Sequence, residues 1–369
     1  MKRLPVLIAA LALAPAAHAA PPPVDASAYL VEDARTGEVL AASNAHARVP
    51  IASITKLMTV LVALEHHKLT DIVTVDRRAA VIGESTIDLR GGERLTVADL
   101  IRGALIQSAN DAAAALALSV APSFASFATL MNTKAGQFGL RDTHFVRPDG
   151  LDAPGEYSSA WDVTKLARIA MRTRFIRDTV REETATIAGG RTLHTWDDLL
   201  SLFPQTIGVK TGHTAAAGWC QVAAARGRGV TVYATLLGSP TRDERNEDLA
   251  SLLVWGLAQF RVIAPVRPDV AYATAAVPYG RAPLALVATK PLLMVARLGR
   301  PLTRTIVAPA AAALPVRRGQ VLGRIEIRAG GRLVGTRDLV ASRTINKPGP
   351  VRRLGWYAGR TLHHLLHLF

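Results

Sequence analysis

The stretch Ala52-Ser53-Ile54-Thr55-Lys56-Leu57-Met58-Thr59 opens a mostly apolar segment that continues to Ala63 with a helical pattern. A serine at the start of a helix has its hydroxyl where free backbone amides and the helix dipole favour negative charge. Lys56 follows Ser53 by three residues, so the two side chains lie on the same helix face and can touch. The stretch predicts a nucleophilic Ser53 with Lys56 as its base, if burial or a second cation such as Lys210 lowers the pKa of the lysine.

A second motif, Ser108-Ala109-Asn110, lies about 55 residues further along and is predicted to be a tight loop before a helix. Its serine is suited to passing a proton to a leaving amine. Its asparagine can hold the amides of a substrate or the amine of Lys56.

A third motif, Lys210-Thr211-Gly212, is predicted to be an exposed strand edge. Lys210 supplies positive charge, Thr211 and Thr214 supply hydroxyls, and Gly212 lets a substrate backbone approach closely. Such an edge is suited to an extended peptide. Alone, each motif is more often a helix cap, a turn or a strand end, but all three in this order indicate a catalytic site.

The first nineteen residues have the pattern of a cleaved secretory signal. Lys2 and Arg3 form a charged start, residues 4–14 an apolar run too short to span a bilayer, and Ala17-His18-Ala19 a small-x-small cleavage site. We therefore expect an exported protein that begins near Ala20.

The formal charge of +15 is concentrated in the C-terminal third of the chain. Residues 20–260 have a net charge of −2, whereas residues 261–345 have a net charge of +11. Nucleic acid is the usual partner of so basic a protein, but export argues against it, and an anionic membrane or cell-wall surface is the better expectation. Cys220 is the single cysteine, so no intramolecular disulfide can form, and its apolar setting predicts a buried strand position rather than a reactive thiol.

Helical and strand patterns alternate up to Phe260, which predicts an α+β architecture. The predicted strands and helices are strands Ala28–Val31, Glu38–Ala42, Val209–Gly212, Gln221–Ala225 and Val230–Leu237, and helices Ser53–Ala63, Val97–Leu105, Asn110–Val120, a helix through Met171, and Glu247–Phe260.

After Phe260 the chain has short β-prone stretches separated by Pro and Gly, which predict a small all-β, sandwich-like domain over residues 261–345. The expected strands are Val270–Thr274, Leu284–Thr289, Leu292–Arg297, Leu302–Val307, Val321–Ile327 and Arg332–Val340.

Residues 346–369 comprise a Pro-Gly-Pro spacer and an amphipathic segment, 351–369, with a basic face and an apolar face. This pattern favours an interfacial membrane helix over a helix docked on the preceding domain. His363, His364 and His367 have a spacing that could bind metal, but no acidic residue is near them, and we assign no metal and no cofactor.

The motifs and their surroundings resemble the low-molecular-mass penicillin-binding proteins that are D-alanyl-D-alanine carboxypeptidases, over residues 26–345. Further segments with this likeness are Gly150-Leu151-Asp152-Ala153-Pro154-Gly155, Ser158-Ser159-Ala160-Trp161-Asp162 and Pro315-Val316-Arg317-Arg318-Gly319. The resemblance implies a β-lactamase/transpeptidase-like catalytic domain at 20–260, followed by the β domain and a C-terminal amphipathic anchor helix on the periplasmic face of the inner membrane.

The resemblance also assigns roles. Ser53 would form the acyl-enzyme, Lys56 would be its base, and the amides of Ser53 and His213 would form the oxyanion hole. Arg245, with Arg242 three residues away, would hold the substrate carboxylate. The substrate would be the D-Ala-D-Ala end of a peptidoglycan stem pentapeptide, and β-lactams would acylate the same serine.

Two departures from the family pattern bear on the site. Asp197 and Asp198 lie where the family often has asparagine before a Leu-Leu pair, and Glu156 replaces a more usual glutamine or histidine. The alternatives are a serine β-lactamase, a DD-endopeptidase and a non-catalytic wall-binding protein. The extra β domain, the C-terminal segment and the absence of a Glu-x-x-x-Asn loop between the second and third motifs argue against the first. The sequence leaves the oligomeric state open.

Overall fold

The computed structural model describes residues 6–11, 20–279 and 281–366, and of residues 6–11 and 359–366 it describes the backbone only. The described chain divides into two compact units. One is Ala19–Gln259, and the other comprises Phe260–Phe369 together with the N-terminal segment Met1–His18. The charged start and the cleavage site of the predicted signal lie outside the described residues.

Strands and helices are numbered along the chain, and strand β1 (Val6–Leu11) belongs to the second unit. The strands of Ala19–Gln259 are β2 Ala28–Asp33, β3 Glu38–Ser43, β4 Ile72–Thr74, β5 Arg94–Thr96, β6 Thr184–Ile187, β7 Arg191–His194, β8 Thr206–Thr214, β9 Gly218–Gly227 and β10 Val230–Ser239. Five of them form an antiparallel sheet in the order β3-β2-β10-β9-β8, and β4–β5 and β6–β7 form separate two-stranded pairs. Strand β8, which carries the third motif, is therefore an edge strand.

The helices of this unit are α1 Lys56–His66, α2 Arg77–Ala80, α3 Val97–Leu105, α4 Asn110–Val120, α5 Phe124–Phe138, α6 Ala160–Ala170, α7 Arg174–Thr179, α8 Leu199–Leu202 and α9 Arg242–Ala258. A 3₁₀ turn, Ala52–Thr55, precedes α1. These elements confirm the predicted α+β class.

Helices α6 and α9 cover opposite faces of the sheet. Gly256 of α9 lies against the side chain of Val232 in β10, whereas Thr164 of α6 bonds through its hydroxyl to Thr235 at 2.6 Å. Val232 and Thr235 are three positions apart on one strand, so they face opposite sides of the sheet. The sheet is therefore the middle layer of this unit.

Helix α4 is buried on all sides because its small side chains let neighbouring helices approach. Ala112, Ala113, Ala114 and Ala117 are completely buried, and the helix contacts α1, α2, α3 and α5. The first residue of this buried helix is Asn110 of the second motif.

Two predicted elements need correction, and several further elements were not predicted. Ser53 lies in the 3₁₀ turn, and the α-helix begins only at Lys56. Helix α9 begins at Arg242, because Thr241 caps it through a bond from the amide of Glu244, and Phe260 belongs to the next strand. Helix α5 was not predicted, although Ser123 caps its start and Gly139 ends it in a left-handed conformation.

The second unit is a two-layered β structure. Its strands after β1 are β11 Phe260–Val266, β12 Ala271–Val277, β13 Arg281–Val287, β14 Leu292–Arg297, β15 Leu302–Val307, β16 Val321–Ala329 and β17 Arg332–Ala341. A six-stranded sheet has the order β1-β15-β16-β17-β13-β12, and β11 pairs with β14. Val266 and Leu292 of the small sheet share one core with Leu286, Ile325 and Leu339 of the large sheet. This confirms the sandwich-like prediction.

Helix α10 spans Pro350–Leu366. Val351 and Leu354 in its first turns are 85% and 76% exposed. Within the described ranges no single helix is long and apolar enough to cross a membrane, and only the consecutive helices α4 and α5, bent by 86°, meet the requirement as a pair.

Candidate active site

The 3₁₀ turn and helix α1 bring the first motif together. The Nζ of Lys56 lies 2.6 Å from the Oγ of Ser53. Lys56 is completely buried, whereas Ser53 lines a cavity of about 210 Å³. The amine is thus shielded from solvent, and the hydroxyl faces the space that a substrate would fill.

Two further acceptors fix the amine. Lys56 Nζ donates to Asn110 Oδ1 at 2.7 Å and to the main-chain oxygen of Asp149 at 2.6 Å. The Nδ2 of Asn110 in turn donates to the carbonyl of Gly83 at 3.0 Å, which fixes the orientation of its amide. Asn110 and Asp149 therefore hold the Lys56 amine beside Ser53 directly, and Gly83 does so through Asn110.

The loop that supplies the Asp149 carbonyl is held by close packing. Gly150 has φ +79°, and a Cβ at this position would lie 2.1 Å from the carbonyl oxygen of Ala52. Only glycine meets both conditions. Arg147 clamps the Asp149 carboxylate with bonds of 2.9 and 3.0 Å, which leaves the main-chain oxygen of Asp149 for Lys56.

Burial lowers the pKa of Lys56 to about 8, while nearby carboxylates, chiefly Asp149 and Glu156, oppose the shift. A lysine with this pKa is partly neutral near pH 8 and can take the proton of a serine. The sequence pointed to Lys210 as a second cation that could lower this pKa. In the structure burial is the largest cause of the lowered pKa of Lys56. The pKa of Lys210 also lies well below its ordinary value, first through burial and then through repulsion from Lys56.

The second and third motifs meet on the other side of the cavity. Lys210 Nζ donates to Ser108 Oγ and to the carbonyl of Thr211, both at 2.9 Å. Ser108 has φ +61°, a strained conformation that turns its hydroxyl towards β8. Ser108, Asn110 and Thr211 line the cavity beside Ser53.

Strand β8 passes very close to the 3₁₀ turn. A Cβ on Gly212 would lie 2.8 Å from the carbonyl oxygen of Ile51 and 3.0 Å from the amide nitrogen of Ser53. The edge strand is therefore open only along the cavity, and Lys210 and Thr211 are buried rather than exposed as predicted.

The last two residues of β8 differ in their surroundings. His213 lines the cavity and stacks on Trp219 with a centroid distance of 4.0 Å. Thr214 donates from its hydroxyl to Asp152 Oδ1 at 2.6 Å, so its side chain holds the 149–155 loop.

Arg245 reaches the cavity from α9, although its side chain is among the most buried of the described residues. Its Nη2 donates to Asp198 at 3.0 Å and to Asn246 at 2.6 Å, and its guanidinium lies 5.5 Å from the ring centre of Trp219. Nη1 has no hydrogen-bond partner among the described residues. Arg242 instead binds both oxygens of Asp198 and lines a neighbouring cavity, so Arg245 is the better candidate for holding a carboxylate.

The two departures from the family pattern are carboxyls in or near the interior, of which Asp197 is buried and Asp198 and Glu156 are partly buried. Burial raises the pKa of Asp197 to about 6, although Gln221 Nε2 donates to Asp197 Oδ1 at 2.7 Å. Burial also raises the pKa of Glu156 to about 7, and its Oε1 accepts from Thr55 Oγ1 at 3.0 Å. Both therefore change charge in or near the working range of a neutral-pH enzyme.

Several residues that shape the site had no role in the sequence-based predictions. The carbonyl of Asp149 and the side chains of Glu84, Trp196 and Trp219 fall in this group. The Asp149-Gly150 dipeptide could have suggested a turn, but nothing in a sequence marks a main-chain oxygen as a partner of a lysine.

Cys220 lies completely buried in β9, and burial raises the pKa of its thiol to about 12, as expected for an inert core position. Among the described residues no cluster of three or more histidine, cysteine, aspartate or glutamate side chains has the geometry to hold a metal ion.

Residues 15–241, which include this constellation, match the sequence profile of the D-alanyl-D-alanine carboxypeptidases, peptidase family S11. The chain belongs to the D-alanyl-D-alanine carboxypeptidase family. This confirms the resemblance to the low-molecular-mass penicillin-binding proteins and the expectation of a serine-type carboxypeptidase.

Two of the similar proteins match 89% of this chain each, so the similarity extends over both units. The D-alanyl-D-alanine carboxypeptidase DacC of Escherichia coli is 33% identical over 355 residues, which are 89% of this chain and 86% of that protein. Penicillin-binding protein 5 of Haemophilus influenzae is similar in structure, with a TM-score of 0.65, 27% identity and coverage of 89% of this chain and all of that chain. A point mutant of the Streptomyces K15 DD-transpeptidase matches with a TM-score of 0.60 and 32% identity over 64% of this chain and 99% of its own. This D-alanyl-D-alanine carboxypeptidase thus resembles some enzymes over nearly its whole length and another over about two thirds of it.

Proposed function

We propose that Ser53 removes the terminal D-alanine from peptidoglycan stem pentapeptides through an acyl-enzyme. The observation that carries the proposal is the buried Lys56 amine, 2.6 Å from the Ser53 hydroxyl at the wall of a cavity. Neutral Lys56 takes the hydroxyl proton while Ser53 Oγ attacks the carbonyl of the penultimate D-alanine.

The backbone amides of Ser53 and His213 stabilise the oxyanion that forms in this step. Gly212 supports the assignment, because its lack of a side chain lets β8 approach the amide of Ser53. Each such donor typically contributes a few kcal/mol to transition-state stabilisation.

Departure of D-alanine requires a proton on its amine. Ser108, bonded to Lys210, is the group on the opposite wall of the cavity that can relay this proton. Arg245, through Nη1, and Thr211 hold the leaving carboxylate. Water then attacks the ester with Lys56 again as base, which releases the shortened peptide and restores Ser53.

The test is D-alanine release from a diacetyl-Lys-D-Ala-D-Ala peptide, beside labelling with fluorescent penicillin. Release and stable labelling, both lost in Ser53→Ala, are the expected results. Labelling without release would point to an endopeptidase or a wall-binding protein, and rapid loss of label would point to a β-lactamase.

We further propose that the protein acts in the periplasm, on the outer face of the inner membrane, after cleavage of residues 1–19. Strand β1 lies in this leader, so cleavage would leave β15 as the edge of the six-stranded sheet. N-terminal sequencing of the exported protein tests the cleavage site, and a mature chain that begins at Met1 would overturn it.

Helix α10 is the proposed anchor. Val351, Leu354 and Tyr357 expose apolar side chains beside Arg352 and Arg353, a combination that favours an anionic bilayer surface. The far end of the predicted apolar face, including Leu368 and Phe369, lies outside the described residues. Deletion of residues 347–369 should release the protein from membranes without loss of activity on soluble peptide, and continued membrane attachment would contradict the anchor.

A further inference from the structure

A buried pair of side chains, the carboxyl of Asp197 and the amide of Gln221, lies beside the third motif. Asp197 is 5% exposed, and Gln221 is completely buried. Gln221 Nε2 donates to Asp197 Oδ1 at 2.7 Å, and the same oxygen accepts from the amide of Leu199 at 3.1 Å. Gln221 in β9 is the register partner of Thr211 in β8, a residue that lines the active-site cavity. The pair therefore lies directly next to a wall of the cavity.

Two oxygens of this pair have no donor. Asp197 Oδ2 and Gln221 Oε1 are both buried, and neither has a hydrogen-bond partner among the described residues. A buried acceptor without a donor is costly, and more so when it carries charge. An ionised Asp197 would leave both oxygens in this state.

A single proton on Asp197 Oδ2 can satisfy both oxygens, because a protonated carboxyl is a hydrogen-bond donor. The two polar atoms of a carboxyl and of a primary amide have nearly the same separation. The bond from Gln221 Nε2 to Asp197 Oδ1 thus allows Oδ2 to face Oε1, in a ring closed by two parallel bonds. Burial raises the pKa of Asp197 to about 6, the direction that a retained proton requires.

The segment that carries Asp197 also holds the proposed carboxylate ligand. The next residue, Asp198, accepts from Arg245 Nη2 at 3.0 Å and from Asn246 Nδ2 at 2.9 Å. The bond between Asp197 and Gln221 ties this segment to the sheet. The pair therefore supports the position of Arg245 through Asp198.

The charged groups around Asp197 come from three elements. Arg245 of α9 and Lys210 of β8 attract an ionised Asp197, whereas Asp198 on the same segment repels it. Lys210 already donates to Ser108 and to the carbonyl of Thr211. Arg245 is the cation proposed to bind the substrate carboxylate, so an ionised Asp197 would compete with that carboxylate for it.

We propose that Asp197 is a positioning residue that holds a proton on Oδ2, donates it to Oε1 of Gln221, and on losing it to solvent weakens the binding of the leaving carboxylate at Arg245. The inference rests on the proposed function, because it adds a protonation-dependent control to the same site. Affinity for the D-Ala-D-Ala end is highest while Asp197 is protonated and falls as the pH rises through about 6.

The proton itself can be observed without any substrate. In the full-length protein labelled with ¹³C at the aspartate carboxyls, one resonance should titrate near pH 6 and be absent in Asp197→Asn. The asparagine keeps an acceptor for Gln221 Nε2 and supplies a donor for Oε1, so it imitates the protonated form. Asp197→Asn should therefore keep the melting temperature measured at pH 5, whereas Asp197→Ala should lower it by several degrees.

The effect on binding is measured in the Ser53→Ala protein, which cannot be acylated. We compare its affinity for diacetyl-Lys-D-Ala-D-Ala with that of Ser53→Ala/Asp197→Asn at pH 5 and pH 7.5. The ratio of the two affinities should change about 3- to 10-fold in favour of the asparagine variant at the higher pH, which corresponds to a pKa change of roughly half to one unit on binding. Other titrating groups are common to both proteins.

Two controls separate the charge effect from a general structural effect. Diacetyl-Lys-D-Ala-D-alaninamide has no terminal carboxylate, so its affinity ratio should not depend on pH. Asp162→Asn removes another buried carboxyl, which accepts from Thr143 next to α6, and it should leave the pH dependence for the first peptide unchanged.

Three results would overturn the proposal: an Asp197 resonance that titrates near the ordinary value of about 4, an affinity ratio that is independent of pH, or an equal change with the alaninamide peptide. If neither peptide binds at any pH, the proposed function of the site fails instead. The proton on Asp197 is then decided by its resonance alone.

Discussion

The amine of Lys56 lies 2.6 Å from the hydroxyl of Ser53, and no other lysine amine bonds to this hydroxyl among the described residues. Replacement of Lys56 by methionine keeps an apolar stem of similar length but removes the base. We expect Lys56→Met and Ser53→Ala each to lower the rate of penicillin labelling by at least about 10³-fold, because nucleophile and base act as one unit.

The matched control for the serine is Ser123→Ala, which removes a hydroxyl that caps α5 away from the site. Loss of such a cap costs about 1 kcal/mol of stability, but labelling should proceed at its normal rate. Normal labelling of the Lys56 variant would show that another group activates Ser53.

Gly150 and Gly155 offer a test of how the site is held. Both have positive φ, of +79° and +86°, but only at Gly150 would a Cβ collide with Ala52, since nothing lies within 4 Å of a Cβ at Gly155. We expect Gly155→Ala to cost roughly 1–2 kcal/mol and Gly150→Ala to cost more than about 3 kcal/mol or to abolish acylation. Denaturant unfolding and penicillin labelling measure the two effects, and equal losses in both variants would rule out the collision as the cause.

The pKa of about 8 at Lys56 predicts the pH dependence of acylation. The rate should rise with pH towards about 8 as the amine loses its proton, and then level off. Ionised Glu156 raises this pKa, so Glu156→Gln should move the rise to lower pH. Stopped-flow labelling between pH 5 and 10 measures the shift, with the exposed Glu247→Gln as charge-matched control. A shift to higher pH would contradict the proposed electrostatics.

Glu156 should also affect stability. Its pKa is raised by burial from 4.5 to about 7, so the folded state binds its proton more tightly than the unfolded chain does. The stability gained from this proton is fully present below about pH 4.5 and is lost as the pH rises through about 7. Glu156→Gln keeps an acceptor for Thr55 and cannot ionise. The free energy of unfolding of this variant minus that of the unaltered enzyme should therefore increase by about 1–3 kcal/mol from pH 5 to pH 8. A difference in melting temperature that does not change with pH would contradict this expectation.

Arg245 should act through binding of the leaving carboxylate. Arg245→Ala should lower kcat/KM for the D-Ala-D-Ala peptide by about 10- to 100-fold, mainly through KM, because a charge-assisted bond contributes roughly 1.5–3 kcal/mol. Arg245→Lys should recover part of the loss. Arg242→Ala should have a smaller effect, since Arg242 does not line the active-site cavity. A larger loss of kcat/KM in Arg242→Ala than in Arg245→Ala would assign the leaving carboxylate to Arg242 instead.

The outline of the site was predictable because the chemistry depends on side chains at fixed spacing. Ser53 and Lys56 are three residues apart and do meet, and Lys210 meets Ser108 across the cavity. Strand and helix limits such as Asn110–Val120 and Leu302–Val307 also agree, because apolar periodicity and turn residues mark them.

The parts that were not predicted depend on tertiary structure. The carbonyl of Asp149, the left-handed turn at Ala52 and the short approach of Gly212 to Ser53 are main-chain geometry, which no residue pattern specifies. The main cause of the lowered Lys56 pKa was likewise not readable from the motifs, because burial is a property of the folded chain.

The bond from Lys56 to the main-chain oxygen of Asp149 has a consequence for the evolution of the enzyme. A point mutation can replace the side chain at position 149, but it cannot remove the carbonyl. This bond to Lys56, the proposed general base, is therefore protected against substitution of the Asp149 side chain, and the residue on which it depends most is the neighbouring glycine. The bond itself therefore tolerates a change of side chain at position 149 as long as Gly150 is inherited.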